Sequence, residues 1–249
     1  MKKLLVAALV TASLAATTVM AQRPLGIDVS SYQGSINWST VYSQGVRFAY
    51  AKATEGEYFQ DSTYNNNMNN GKNAGVQMGA YDFTRPDLYC PDSEADYFWN
   101  FAGGKIVADG KSLYPMADFE TFNGVACGYG YTSWYNEWSA RVKSKTSHFL
   151  HPIIYCSAGS GACDLIEYDK PGGIYLSAWI ANYNGENLYT GTPWSCCTCC
   201  NAWTTGCGGA NWTFWQVSST GAIGGISGNV DLDTYPLALN LLISYQGVH

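Results

Sequence analysis

Asp118 and Glu120 stand either side of a single phenylalanine, directly after the apolar run Leu113 to Ala117. If that run is a strand, side-chain alternation turns both carboxylates to one face, roughly 7 Å apart along the chain. Two acids held on one face repel each other, which raises the pKa of at least one and fits it to supply a proton. Glycosidic cleavage uses such carboxyls, one of them protonated to help the leaving oxygen depart. Two more apolar runs close on acid, Gly26-Ile27-Asp28 and Val230-Asp231-Leu232-Asp233. A D-x-E triplet alone is common on solvated strands and loops. The run before this one is apolar on both faces, as in a strand buried in a parallel sheet.

Acids on separate runs meet only if the fold brings the runs together. Eight β-prone runs punctuate the chain: Gly26 to Val29, Val46 to Ala51, Val76 to Phe83, Leu113 to Ala117, Pro152 to Tyr155, Ile174 to Ala181, Trp212 to Val217 and Val230 to Leu232. Helical patterns lie between the early ones. Ser93 to Ala102 opens like a capping box, with Asp96 three residues after Ser93, and Thr132 to Lys145 sets Trp134, Trp138 and Val142 on one face. Strands alternating with helices imply a parallel sheet, and eight of them imply an α/β fold: a single (β/α) TIM-like barrel. It should be irregular, with few helices in its C-terminal third. The C-terminal ends of the strands would then line the site.

Residues 1–21 begin with Lys2 and Lys3, continue through the apolar run Leu4 to Val10 and close on Val19-Met20-Ala21, as a signal peptide does. Thr11, Ser13, Thr17 and Thr18 break the run before it reaches the roughly 20 apolar residues of a membrane span. The expectation is an exported chain, secreted or in an acidic lumenal compartment, with residues 22–249 as one catalytic domain and no membrane association once the leader is gone. The leader takes two of thirteen basic residues with it, leaving eleven against nineteen acids, a net charge of about −8. With no basic stripe to neutralise phosphates, nucleic-acid binding is excluded.

Nine cysteines in an exported chain suggest disulfides, and the odd number leaves at least one thiol free or paired outside the chain. Cys196, Cys197, Cys199, Cys200 and Cys207 crowd the segment 195–208, which reads as a stapled insertion in preference to a zinc site. Cys90 and Cys127 follow the third and fourth runs, so their loops should be neighbours at one end of a barrel and near enough to bond. Asn37-Trp38-Ser39 and Asn211-Trp212-Thr213 match the glycosylation acceptor pattern.

Beyond the acids, the segments Gly26-Ile27-Asp28-Val29-Ser30, Ala51-Lys52-Ala53-Thr54-Glu55-Gly56, Gly79-Ala80-Tyr81-Asp82-Phe83, Asp118-Phe119-Glu120, Pro152-Ile153-Ile154-Tyr155, Trp179-Ile180-Ala181, Trp215-Gln216 and Gly228-Asn229-Val230-Asp231 occur in one order. That order resembles the lysozymes of glycoside hydrolase family 25, the Chalaropsis-type N-acetylmuramidases, from Leu25 to about Tyr235. The resemblance implies hydrolysis of the β-1,4 bond between N-acetylmuramic acid and N-acetylglucosamine in bacterial peptidoglycan, by a monomer that needs no cofactor or metal. It implies Glu120 as general acid, Asp118 as its partner, and Asp28 and Asp231 as flanking catalytic acids. Asp118 either attacks directly or orients the substrate's own acetamido group, with Tyr155 beside that group. The second scheme is favoured.

Lys52, Tyr81, Tyr155, Trp179, Trp215 and Asp82 are expected to contact substrate, the aromatics by stacking on sugar rings. Asp82 departs from the His of many relatives and adds a fifth acid, which points to an acidic working pH. Phe119 should face the helix layer as core, and His148 and His151 should lie at the far end of the fifth strand in structural roles. Two competing functions are a chitinase-like glycosidase, disfavoured because Tyr114 to Ala117 carry no spaced aspartates, and a wall-binding lectin, disfavoured because a pure binder has no use for four mutually repelling acids.

Overall fold

The computed structural model describes residues 22–145, 152–158, 178–193 and 212–248. The expectations for the leader, for His148 and His151, for the start of the sixth run, for the cysteine-rich segment and for Asn211 fall outside these residues. Nine strands are β1 (Leu25–Val29), β2 (Val46–Glu55), β3 (Phe59–Gln60), β4 (Gln77–Phe83), β5 (Met116–Asp118), β6 (Ile153–Ser157), β7 (Ala178–Ala181), β8 (Phe214–Gly221) and β9 (Val230–Thr234). Eight of them close a barrel in the order β1-β2-β4-β5-β6-β7-β8-β9, with β9 returning to β1, while β3 only folds back on the end of β2. The expected eight-stranded barrel is present. The expectation of a purely parallel sheet is corrected, since β9 runs antiparallel to both β8 and β1. Only Ala222 to Asn229 join β8 to β9, too short for the crossover of a dozen or more residues that parallel neighbours require.

Helices α1 (Trp38–Ser43), α2 (Tyr64–Ala74), α3 (Pro91–Ala102) and α4 (Tyr131–Ser144) follow the early strands, and α5 (Leu239–Gln246) follows β9. No helix separates the strands from β6 to β9 among the described residues. The start of α3 differs from the sequence reading. Pro91 occupies the first turn, where a missing N–H costs nothing, and Ser93 Oγ donates to the Cys90 carbonyl at 3.1 Å. Asp96 is therefore no capping residue. It pairs with Arg141 Nη2 at 2.6 Å on α4 and with Lys145 Nζ at 2.7 Å.

Strand alternation divides the core into two layers. Ile27, Ala49, Ala80, Ala117, Ile154 and Ile180 point outward and meet Phe98, Trp134 and Trp138 from the helices. Phe48, Tyr50, Met116, Ile153, Trp179 and Phe214 fill the barrel interior. The inner rings fit only because neighbouring positions have no side chain. A Cβ on Gly26 would lie 2.1 Å from the Phe48 ring, and one on Gly79 would lie 2.2 Å from the Tyr50 ring. Tyr50 cannot easily swing away, because its hydroxyl donates to the Tyr114 carbonyl at 3.1 Å and its ring meets Trp179 and Phe214. Overpacking of this kind costs about 1–3 kcal/mol. Gly79→Ala should therefore lower the melting temperature clearly, and a variant melting with the parent would refute this account of the interior.

Between the barrel and α3 lies a buried pair of carboxyls, Asp82 and Glu94, neither with any exposed surface. Asp82 points outward from β4, accepting from Thr54 Oγ1 at 2.7 Å and from Trp138 Nε1 at 3.2 Å. Glu94 accepts the Arg85 backbone N–H at 2.8 Å through one oxygen, while its Oε2 has no hydrogen-bond partner among the described residues. Burial lifts Asp82 to about 7, with the Thr54 and Trp138 bonds, Glu94 and the more distant Lys52 opposing. Glu94 is driven well above the ordinary carboxylate range by burial and by the Asp82 charge.

A carboxyl whose folded pKa is raised adds stability that is complete below its unfolded value, near 4, and lost as pH rises through the folded value, here about 7. The chain should melt higher at about pH 5 than at about pH 8. Asp82→Asn, which keeps an acceptor for its neighbours, should narrow that difference. Equal pH sensitivity in parent and variant would show that this pair contributes nothing to it.

Candidate active site

At the end of the barrel where the parallel strands finish lies a groove of about 580 Å³. Asp28, Asp118, Glu120 and Asp231 all line it, so acids from three distant parts of the chain do converge. Asp28 is the fourth residue of β1 and faces inward because Ile27 and Val29 are turned out to the helix layer. Asp118 ends β5, and Glu120 stands two residues beyond it at the groove wall. Phe119 between them is fully buried against Trp134, with ring centroids 5.6 Å apart, and this locks the two carboxylates onto the groove side. Asp231 reaches the same rim by the opposite route. It is the second residue of the antiparallel β9, placed directly opposite Asp28. The expectation that Asp231 closes a strand is corrected accordingly.

The groove has one lysine and a surplus of acid. Burial drives Asp118 well above the ordinary carboxylate range, reinforced by Glu120 and Asp28 and opposed by Lys52. Its side chain is 9% exposed, and Oδ1 has no hydrogen-bond partner among the described residues. Burial lifts Asp28 to about 8, with Asp231 adding to the shift and Gln216 opposing it. Glu120 reaches solvent but stands within the groove walls, and desolvation there raises its pKa, with Lys52 opposing and Asp231 adding to the shift. Asp231 is raised mainly by burial. Beneath them Asp233 is wholly buried. Among the described residues neither of its oxygens meets a donor at hydrogen-bonding geometry, and its polar neighbours are Asp28 and the Trp179 indole.

Lys52, Tyr81 and Tyr155 line the groove as the sequence suggested. Lys52 Nζ lies 2.7 Å from Glu55 and 4.8 Å from the Phe83 ring centroid. Glu55 in turn accepts from the Tyr58 hydroxyl and lies 3.6 Å from Arg85. The ammonium is thus clamped beside the acids. Tyr155 donates to Gln216 Oε1 at 2.8 Å, Tyr183 donates to the same oxygen at 2.6 Å, and Gln216 Nε2 donates to Asp28 at 2.8 Å.

Three expected contact residues lie elsewhere. Asp82 faces the helix layer, because Tyr81 beside it takes the inward position. Trp215 likewise points out of the barrel, donating to the Asn182 carbonyl at 2.9 Å and packing on Trp212. Trp179 points inward but one layer too deep, under the site and among Tyr50, Tyr155 and Phe214. The sequence reading missed Gln216, Tyr183, Asp233 and Tyr32. For Gln216 the signal was present, since the outward turn of Trp215 requires the inward turn of its neighbour. Tyr183 is 54% exposed and Tyr32 94% exposed, flat faces at the groove edge that no periodicity marked. Cys90 and Cys127 are bonded, with Cα atoms 5.6 Å apart, and tie the loops after β4 and β5 together; Cys156 is a buried free thiol.

The model of glycosyl hydrolases family 25 matches residues 27–226. Lysozyme M1 of Streptomyces globisporus is 36% identical over 222 residues, covering 84% of this chain and 67% of that relative. Among solved structures, the bacterial lysozyme from Streptomyces coelicolor superposes with a TM-score of 0.68 at 33% identity, covering 92% of this chain and 98% of that one. The muramidase from Trichobolus zukalii gives a TM-score of 0.70 at 26% identity, covering 90% and 98%. A match that runs from residue 27 to residue 226 and takes in Asp28, Asp118 and Glu120 leads to one conclusion: the chain belongs to glycosyl hydrolases family 25 and is a glycoside hydrolase.

Proposed function

We propose that the protein is an exported lysozyme, an N-acetylmuramidase that hydrolyses the β-1,4 bond between N-acetylmuramic acid and N-acetylglucosamine in bacterial peptidoglycan. Residues 22–249 act as its catalytic domain, as a monomer without cofactor, after loss of the leader 1–21. The observation that carries the reading is the pairing of a solvent-reaching Glu120 with a buried Asp118 whose Oδ1 is free, both on one wall of a groove flanked by Asp28 and Asp231.

Glu120 acts as general acid. Its raised pKa keeps a proton on it in mildly acidic solution, and its exposure lets it reach the bridging oxygen of a strand lying in the groove. Asp118 acts on the other side of the sugar. Its free oxygen accepts the N–H of the substrate's acetamido group and turns that group's carbonyl oxygen onto the anomeric carbon, so the C–O bond breaks as the new C–O bond forms. Water then opens the resulting ring, giving its proton to Glu120. Tyr155 and Tyr183, through Gln216, hold Asp28 in place, and Asp28 and Asp231 face the position where the positive charge develops. A lectin would gain nothing from this assembly of raised carboxyls.

Glu120→Gln keeps the shape and removes the proton, so turnover of solubilised wall fragments should fall by about 100-fold to 10,000-fold in a variant with parental circular dichroism. A folded variant retaining more than about a tenth of the activity would exclude Glu120 as general acid. Product mass spectrometry on the parent should find reducing-end muramic acid, and reducing-end glucosamine would contradict the bond assigned.

The direction of the pH dependence follows from Glu120, which must be protonated to act. Activity should fall as pH rises through its elevated pKa. Lys52 holds that pKa down, so Lys52→Met should move the falling limb to higher pH as well as weaken substrate binding. A pH profile whose limb stayed in place would remove Lys52 from the electrostatics of the site.

A further inference from the structure

On the flank of the barrel, α2 reads Tyr64-Asn65-Asn66-Asn67-Met68-Asn69-Asn70-Gly71-Lys72-Asn73-Ala74. Asparagine is a poor helix former because its amide competes for nearby backbone groups, so this helix is weak by its own sequence. Two of the amides repay that weakness within the fold. Asn67 accepts from Trp38 Nε1 at 3.3 Å and donates to Thr63 at 3.1 Å, and Asn69 accepts from Lys105 at 2.8 Å. Asn66, Asn70 and Asn73 do not. They are exposed, fall at i, i+4 and i+7 on one face, and make no side-chain hydrogen bond among the described residues.

That face borders two adjoining concavities of about 540 and 230 Å³, which share Ser35, Ile36 and Asn70. Amides and hydroxyls line the trough, Ile36 and the buried Trp38 supply an apolar floor, and no charged side chain takes part. The trough continues the catalytic groove along the chain, for Tyr32 and Gln33 line the groove and Gly34, Ser35 and Ile36 line the trough.

We propose that this trough is a second carbohydrate-binding site, which takes an uncharged stretch of an N-acetylated glycan strand whose scissile section lies in the catalytic groove. It rests on the glycan-strand substrate proposed above. An amide offers two donors and an acceptor, which suits hydroxyl and acetamido groups, whereas a lining without charge has nothing to neutralise a phosphate or a charged peptide. Successive turns of α2 present the amides at steps of about 5–6 Å, the scale of one pyranose ring. The chain's net charge of −6 gives no electrostatic attraction to an anionic wall, so neutral hydrogen bonds are the available means of holding a long strand.

The test uses protein made in a host that does not glycosylate, so that Asn37 at the trough edge carries no sugar. In a Glu120→Gln background, the combined Asn66→Ala, Asn70→Ala and Asn73→Ala variant is compared with its parent. Alanine is the better helix former, so the variant should melt higher by about 2–4 °C, which makes misfolding an inadmissible explanation of any loss. Its affinity for insoluble purified peptidoglycan should fall by about tenfold or more. In the parent, titration with chitotetraose should shift the side-chain amide signals of these three asparagines in NMR spectra. Wall affinity unchanged in the variant, or amide signals unmoved by chitotetraose, would overturn the proposal. Protein with Glu120 intact that binds through these amides yet cleaves no peptidoglycan would instead overturn the proposed activity and leave the trough standing.

Discussion

Packing several carboxyl groups into a poorly hydrated barrel mouth, with one ammonium beside them, is the constraint on which the rest of the structure depends. An isolated buried carboxylate is strongly disfavoured, and mutual repulsion adds to the penalty. The fold answers in two ways. It lets protons stay on, as the upward shifts of Asp28, Asp118 and Asp233 indicate. It also fixes two of the groups through partners that are themselves held: Asp28 by Gln216, which two tyrosine hydroxyls orient, and Lys52 by Glu55, which Tyr58 and Arg85 orient.

The antiparallel last strand solves a related problem of depth. Along a parallel strand, inward residues two apart move outward toward the rim as the chain advances. Along β9 they move inward, so Asp231 sits at the mouth opposite Asp28 while Asp233 lies underneath. Had β9 run parallel to its neighbours, the same sequence would have buried Asp231 and exposed Asp233. One reversal therefore decides which of two chemically identical residues meets the groove. It also puts Asp233, Asp28 and the Trp179 indole together beneath the site, where the deepest carboxyl can remain neutral.

Much of this was legible in the sequence, and where reading failed the reason is local. The barrel, the buried face of α4 and the convergence of Asp28, Asp118 and Glu120 follow from alternation and from apolar runs ending in acid. The errors at Asp82 and Trp215 came from reading a motif as a unit when a strand splits it. Tyr81 and Gln216 face the groove, so their neighbours must face away, and alternation alone would have assigned them. Trp179 is different. It has the correct parity, but its depth depends on the registers of β6, β7 and β8, with Tyr155 and Phe214 as its lateral partners, and one sequence does not contain that information. Asp233 was obscured for the same reason, since its depth depends on strand direction.

The two groups of buried acids also tie the stability of the fold and the proposed chemistry to pH in one direction. Asp82 and Glu94 lie behind the barrel wall and take no part in lining the groove, yet they too are raised by burial. Lowering the pH keeps that pair singly charged or neutral, which removes a buried repulsion, and in the groove it keeps a proton on Glu120, the proposed general acid. The same change lowers the negative charge of the whole surface and with it any repulsion from an anionic polymer. Fold stability, protonation of Glu120 and approach to a wall thus change in the same direction with pH. One physical cause, desolvation of carboxyls within and behind a single barrel, sets the first two.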